Sequence, residues 1–388
     1  MNPFDLNIRH LRAVAAVVET GSINAASRVV NLTQPAITQG IAKLERQIGL
    51  PLFERRPGGM VPTPAAQVLA PRVLAAVRLL DSRHATAAQI SAFLALARCG
   101  SYAAASVETG LSQPSLHRAV GDLSLAIGHV LVERRGKGVA LTVRGASVAR
   151  RFRLGEAELT SALSELALLE GREVGRIVVG AMPLSRARLL PAAVTAFHAL
   201  HGEIGIGIIE GSHAELVGPL RDGEIDLMVG ALRVGMAEDA LIQTPLFEDR
   251  PVILARKGHP LEGVASPMTP EAMMTYPWIT AAVGTPLRSQ WQAMFRSAGA
   301  VPPRVPIECG SVIMIRQMLL TSEFLTLLSP DQVAVELEAG WLVQLADAPG
   351  DVSRTIGVTT RADWRPTTIQ RRFLEVLNRQ AEIIASQP

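Results

Sequence analysis

Gln34, Thr38, Gln39 and Lys43 fall at steps that place them along one side of a helix, while Ile37, Ile41, Leu44 and Ile48 fall along the other. The amides and the hydroxyl can hydrogen-bond to base edges or phosphate oxygens, and the ammonium can pair with phosphate. A little further on, Leu52-Phe53 would anchor a hairpin tipped by Arg55, Arg56 and Pro57-Gly58-Gly59. Such a basic wing suits a nucleic-acid backbone or minor groove. The elements that must position these groups are legible upstream. Leu11, Val14, Ala15 and Val18 form an apolar helical stripe, which Gly21-Ser22 ends. A short helix follows, and its small Ala25-Ala26-Ser27 lets another helix approach closely. Asn31-Leu32-Thr33 makes the turn, with Thr33 as N-cap and Pro35 at the next helix start, where a missing N–H costs nothing. Ser22, Thr33 and Pro35 thus join the residues expected near nucleic acid. Helix, tight turn, polar-faced helix and basic wing, in that order, make a winged helix-turn-helix; a small structural bundle with a polar face is the alternative.

The pattern occurs twice. Gly21-Ser22, Ala25-Ala26-Ser27, Gln34-Pro35 and Glu54-Arg55-Arg56 return as Gly100-Ser101, Ala104-Ala105-Ser106, Gln113-Pro114 and Glu133-Arg134-Arg135, always 79 positions later. Roughly a third of positions are identical over about 60 residues, as expected of a duplicated domain. The second copy keeps its apolar stripe in Leu116, Val120, Leu123 and Ile127. It also keeps Ser112, Gln113, Ser115, His117 and Arg118, with Arg134, Arg135 and Lys137 in the wing. Asp122 stands where the first copy has Lys43, which opposes phosphate. DNA contact and a structural or dimer-forming role are both open for this copy.

Charge separates the chain into two parts. Residues 1–155 hold 19 Lys or Arg against 8 Asp or Glu, and residues 156–388 hold 19 against 27, within a net charge of +3. The basic front suits phosphates and the acidic back does not. Cys99 and Cys309 form neither a metal cluster nor a disulfide framework. No apolar run of membrane-spanning length and no signal peptide is evident, so a cytoplasmic protein without cofactor is expected.

Each wing is followed by an Ala-, Leu- and Val-rich helical stretch, about 64–80 and about 144–170. From Gly175 strands and helices alternate: a strand at 176–180, a helix over Leu189–Leu200, then a strand (204–209), a helix (214–221) and a strand (225–229). That is α/β with a largely parallel sheet. Ligands of such sheets sit at the carboxyl ends of strands near helix starts, here Met182 to Arg186 and Gly230-Ala231-Leu232.

Residues 8–67 resemble the DNA-binding domain of the LysR-type transcriptional regulators, at Ala25-Ala26, Leu32-Thr33-Gln34-Pro35-Ala36-Ile37-Thr38, Leu44-Glu45, Ile48-Gly49 and Leu52-Phe53-Glu54-Arg55. The position of Gln39 is often Arg in that family. Over its whole length the chain resembles the family plan, with the DNA-binding unit doubled. The resemblance implies winged helix-turn-helix domains at 6–63 and 84–143, each followed by a linker helix (64–83 and 144–172). An effector domain like the periplasmic solute-binding proteins follows at 174–388, its first lobe 174–256 and 349–388 and its second 257–348. The linker helix before the sensor is expected to pair between chains, as in the family, and the first to pack inside one chain. Dimers or tetramers are implied. The run Met182–Pro191 looks like the subgroup containing regulators of sugar uptake and protocatechuate breakdown. Matching residue by residue carries effector contacts onto Ser185, onto Thr285 and Pro286 with Arg288, and onto Ser311, beside Pro183, Leu184, Arg186 and Leu232 at the strand ends; Ser185, Thr285 and Ser311 are alternatively helix caps. Arg186 and Arg288 favour an organic acid over a sugar, since a guanidinium fork fits a carboxylate.

Two readings from other classes stay open on residues alone. One is a two-lobed solute binder or enzyme, against which the chain shows no Walker, dinucleotide or Gly-x-Ser-x-Gly motif and no metal-like spacing of its His residues. The other is a nucleoid-architecture protein.

Overall fold

The computed structural model describes residues 2–56, 59–80, 85–136, 138–233, 240–264, 268–350 and 352–386. The chain divides into two compact units, residues 1–175 with 221–224, and the remainder. Among the described residues no helix is long and apolar enough to cross a membrane.

In the first unit α1 (Ile8–Thr20), α2 (Ile23–Val30) and α3 (Gln34–Ile48) lead to the two-stranded wing β1 (Phe53–Arg56) and β2 (Gly59–Pro62), then to α4 (Pro64–Leu79). The order repeats as α5 (Ala87–Cys99), α6 (Tyr102–Thr109), α7 (Gln113–Ile127), β3 (Val132–Arg135), β4 (Gly138–Leu141) and α8 (Val143–Leu169). The stops are those the sequence announces: Gly21 and Gly100 end α1 and α5 in the left-handed region, at φ +71° and +66°. Thr33 and Ser112 cap α3 and α7, each accepting a hydrogen bond from a first-turn N–H.

One core runs through both copies, from Leu11 and Ile37 through Leu69 and Val73 to Phe93, Leu116, Phe152 and Leu166. The linker helices close it. α4 lies against α8, and α8 buries Leu159, Ala162 and Leu166. The second linker's stripe, expected to pair between chains, is therefore occupied within the chain, because the duplication supplies a partner helix in cis. Both copies tie the wing to the following helix alike: Thr63 and Thr142 cap their helices and donate to the carbonyls of Pro51 and Val130. In the second copy the fit is tighter. A Cβ on Gly145 would lie 1.9 Å from the Leu131 carbonyl oxygen, whereas the first copy has Ala66 at the matching position. We expect Gly145→Ala to shift the start of α8 and lower stability by about 1–3 kcal/mol. Ala66→Gly, lacking any clash to relieve, should cost about 1 kcal/mol or less. Urea titration of both variants would check this; equal effects would contradict the close contact.

The second unit has two lobes. In the first, β5 (Arg176–Ala181), α9 (Leu189–Leu200), β6 (Gly205–Glu210), α10 (His213–Asp222), β7 (Leu227–Ala231) and β8 (Leu241–Asp249) follow in order. The second holds β9 (Val252–Arg256), α11 (Pro270–Met274), β10 (Trp278–Thr280), α12 (Pro286–Ser297), β11 (Ile307–Glu308), α13 (Val312–Leu320), β12 (Leu325–Leu328), α14 (Ala334–Glu338) and β13 (Leu342–Asp347). β14 (Arg354–Arg361) and α15 (Thr368–Ala385) return to the first lobe. Strand orders are β6-β5-β7-β14-β8 and β11-β10-β12-β9-β13.

Four of the five strands in each sheet run the same way, in keeping with a largely parallel sheet; the reversed ones are β14, which returns from the other lobe between β7 and β8, and β9, between β12 and β13. One expectation needs correction. The lobe boundary lies before β9 rather than at 256–257, because Val252–Arg256 pairs with β12 and β13. Several of the few aromatic residues pack on one another. Trp278, Trp291 and Phe295 pack edge to face in the second lobe, and Phe197 meets Phe373 where α9 crosses α15.

Candidate DNA interface and effector cavity

The outer face of α3 is built as its periodicity requires. Ile37, Ile41 and Leu44 are buried, Ile48 is half-buried, and Gln34, Pro35, Gln39 and Lys43 are exposed with Thr38 half-exposed. The helix is held close to α1 at Gly40, where a Cβ would come within 2.9 Å of the His10 ring. Burial, then the charges of Lys43 and Arg9, hold that imidazole below its ordinary range. Gln34 hydrogen-bonds to Asn24 of α2, and Thr38 donates to the Gln34 carbonyl at 3.0 Å. Ser22 accepts from Ala25 N–H and so caps α2. Arg56 is exposed on the wing beside Glu54, at 2.9 Å. Arg55 lies in β1, but its side chain, like Pro57-Gly58 at the tip, falls outside the described residues. Sequence reasoning missed the role of Glu45. Its carboxylate accepts from the N–H groups of Leu52 (2.8 Å) and Phe53 (3.3 Å), fixing the base of the wing to the recognition helix.

In the second copy Gln113, Ser115, His117 and Arg118 are exposed on α7, and Arg134 and Arg135 on β3, while Lys137 lies outside the described residues. The His117 ring stacks on Tyr102, centroids 3.5 Å apart, where the first copy has Thr38 and Ile23. Ser124 takes the Glu45 position and bonds back to the Val120 carbonyl, so the carboxylate clamp on the wing is absent from this copy.

In the second unit a cavity of about 260 Å³ opens between the lobes. Met182, Leu184, Leu287, Ile315 and Leu328 give it an apolar wall, and Ser212, His213, Thr285, Arg233 and Arg354 add polar groups. Three helices begin at its edge: α10 at His213, α12 at Pro286 and α13 at Val312. Arg354 is paired with buried Asp249 through Nε at 2.7 Å, while its buried Nη2 has no hydrogen-bond partner among the described residues.

Two family models match the chain. One, described as LysR substrate binding domain, covers residues 170–382, and the other, the lysR family of bacterial regulatory helix-turn-helix proteins, matches twice, at 8–67 and 87–146. The HTH-type transcriptional regulator GalR of Pseudomonas putida is 31% identical over 369 residues, 92% of each chain. The chain is a LysR-type transcriptional regulator. The SDS degradation transcriptional activation protein of a Pseudomonas species is 33% identical over 281 residues, 71% of this chain and 89% of that one. Among solved structures, full-length OxyR from Pseudomonas aeruginosa matches with a TM-score of 0.59 at 22% identity, over 78% of this chain and 96% of that one. CbnR, a LysR family regulator, matches at 0.54 and 19%, over 76% and 98%. These likenesses establish the fold.

Of the effector residues expected for this LysR-type regulator, Pro183, Leu184, Thr285 and Pro286 line the cavity. Others are engaged elsewhere. Ser185 is fully buried, its hydroxyl on the Met182 carbonyl. Arg186 pairs with Glu210 and two backbone carbonyls, and it borders a neighbouring hollow together with Ser311, which caps α13. Arg288 pairs with Glu308, hydrogen-bonds to Thr280 and lies over the Trp291 ring. Leu232 packs over Gly357 of β14, whose added Cβ would come within 2.9 Å of it. Arg354, Ser212 and His213 were not anticipated. Arg354 opens a strand whose neighbours look wholly structural, so only the return of β14 to the first lobe brings it to the cavity.

His259 of the LysR-type regulator serves the fold. It is buried, its Nδ1 accepts from Leu261 N–H at 3.1 Å, and Nε2–H donates to the Glu323 carbonyl at 3.2 Å. Burial drives its pKa below the ordinary value. An unfolded chain binds the proton near pH 6.5 and the folded one only lower, so stability is full above that pH and falls below it. The second lobe should lose melting temperature as pH drops below about 6.5, and His259→Asn should flatten that slope. Identical slopes in both proteins would exclude the histidine as its source.

Proposed function

We propose that the first head reads base edges through Gln34, Thr38, Gln39 and Lys43, while Arg55 and Arg56 hold phosphate. The second head would add contacts through Gln113, His117, Arg118, Arg134 and Arg135, chiefly to the backbone. The observation that carries this is the exposed polar face of α3, opposite a fully buried Ile37 and Leu44. The protein works where its DNA is, in the cytoplasm.

The test is footprinting of the full chain upstream of its own and neighbouring genes, with Gln34→Ala/Thr38→Ala and, separately, Gln113→Ala/Arg118→Ala. Loss of the first pair should weaken specific binding about 10- to 1000-fold. Loss of Arg118 should reduce the salt slope by about 1 with little change in sequence preference. Protection unchanged by the first pair would overturn the assignment of α3.

We infer further that the effector is a small organic acid with an apolar body. Three helix N-termini, whose free N–H groups favour anions, border a cavity otherwise walled by Met, Leu and Ile. Arg354, unlike Arg186 and Arg288, lines that cavity, and its Nη2 has no hydrogen-bond partner among the described residues. An effector that favours one closure of the lobes would shift the population of regulator states, and so of DNA geometries.

A further inference from the structure

We propose that a single chain is already the paired DNA reader: α4 and α8 join in cis, and their two unequal heads take one inverted, asymmetric DNA site. The proposal rests on DNA reading by the first head and adds how many chains supply the pair.

The helix contacts carry it. Arg72 of α4 meets Glu158 at 3.4 Å and Glu165 at 3.9 Å on α8. Further along α4, Ala76 and Leu80 meet Gly155. Position rises along one helix as it falls along the other, so the pair is antiparallel. Gly155 is the residue 79 positions after Ala76, its counterpart in the duplication. A residue meets its own counterpart only where an approximate two-fold axis passes, so the two heads are related by such an axis. Two-fold-related heads match inverted half-sites on a duplex.

The contact is also specific to this unlike pair. A Cβ on Gly155 would lie 2.8 Å from the Leu80 side chain and 3.4 Å from the Ala76 carbonyl. Two α4 helices from separate chains would place Ala76 at that crossing. They would also face Arg72 with Leu79, the counterpart of Glu158, and α4 ends before the counterpart of Glu165, so the guanidinium would lack both of these acids. The N-terminal turn at Pro3–Asp5 fastens the arrangement, since it buries Phe4 and packs on α5 and α8 of the second copy. The surface with which α4 would recruit a second chain is thus covered by its own chain. Because Lys43 is answered by Asp122 and Glu45 by Ser124, the two halves of the DNA site need not match.

Charge exchange in the full-length protein distinguishes cis from trans pairing. Arg72→Glu, and separately Glu158→Arg/Glu165→Arg, should each reduce soluble, DNA-binding protein at least tenfold. Combining all three in one chain should restore most of it, whereas co-expressing the two defective chains should not. Rescue by co-expression would show pairing between chains and overturn the proposal. A second measurement covers failure of the triple variant to fold. In chains carrying Cys99→Ser, Cys309→Ser, Arg72→Cys and Glu158→Cys, a short thiol cross-linker should give a product of monomer mass with both thiols consumed. Cross-linked dimers between differently tagged chains would refute cis pairing. A monomeric product from a protein that gives no footprint would leave the pairing intact and count against DNA reading instead.

Discussion

Replacing Arg72 by Met should lower the stability of the N-terminal unit by about 3–5 kcal/mol, the largest loss expected from any single change to the linker helices. The guanidinium is only 10% exposed and stands between Glu158 and Glu165, themselves 16% and 13% exposed. Removing it takes the guanidinium away from two partly buried carboxylates that stand together, so the cost is that of the acids it leaves behind more than of the lost pair. Replacing all three by Met and Leu should therefore be far milder, within about 1–2 kcal/mol of the parent, since an apolar trio needs no compensation in a core flanked by Val73, Leu159 and Leu166. Denaturant titration of the full chain, with hydrogen exchange reported over 64–79 and 143–169, separates this unit from the effector unit. If the single variant melts like the parent, the ion triad contributes nothing. If the triple is as weak as the single, packing geometry and not charge is what Arg72 provides.

Much of this organisation was legible because its causes are local. The steps of Ile37, Ile41 and Leu44 determine a helix face, and Gly21, Thr33 and Pro35 punctuate it with groups that act on their own turn. α9 is found at Leu189–Leu200, the range its apolar run predicts. Failures arose where a residue's role depends on a distant segment. Arg186 and Arg288 have the right chemistry for an effector, but Glu210 and Glu308 from elsewhere in the fold pair with them. The function of Glu45 is not legible in its motif, because its partners lie at the base of the wing, seven and eight residues on. The boundary before β9 was misplaced for a related reason: an apolar strand of five residues reads the same in either lobe, and only its pairing with β12 and β13 decides.

The second large effect is expected at Arg354, in the response to effector and not in the fold. Its Nε bonds to Asp249, which is nearly buried, so Arg354→Met would strand that carboxylate and confuse the two roles. Arg354→Lys keeps a cation beside Asp249 but removes the planar fork, with the Nη2 that has no partner among the described residues. A hydrogen bond to a charged group contributes about 1.5–3 kcal/mol, so the lysine variant should need about 10- to 100-fold more acid for half its response. The probes are a panel of small aliphatic and aromatic carboxylic acids, each with its amide, read first by thermal shift of the full chain and then by change in footprint. Acids should act and their amides should not, because three helix N-termini favour negative charge where an amide carries none. The lysine variant should melt near the parent in the absence of acid, and the methionine variant well below it. Equal action of acids and amides would reject the anionic effector. An unaltered acid response in Arg354→Lys would instead move recognition to the helix N-termini at Ser212 and Thr285, leaving the arginine to hold Asp249 alone.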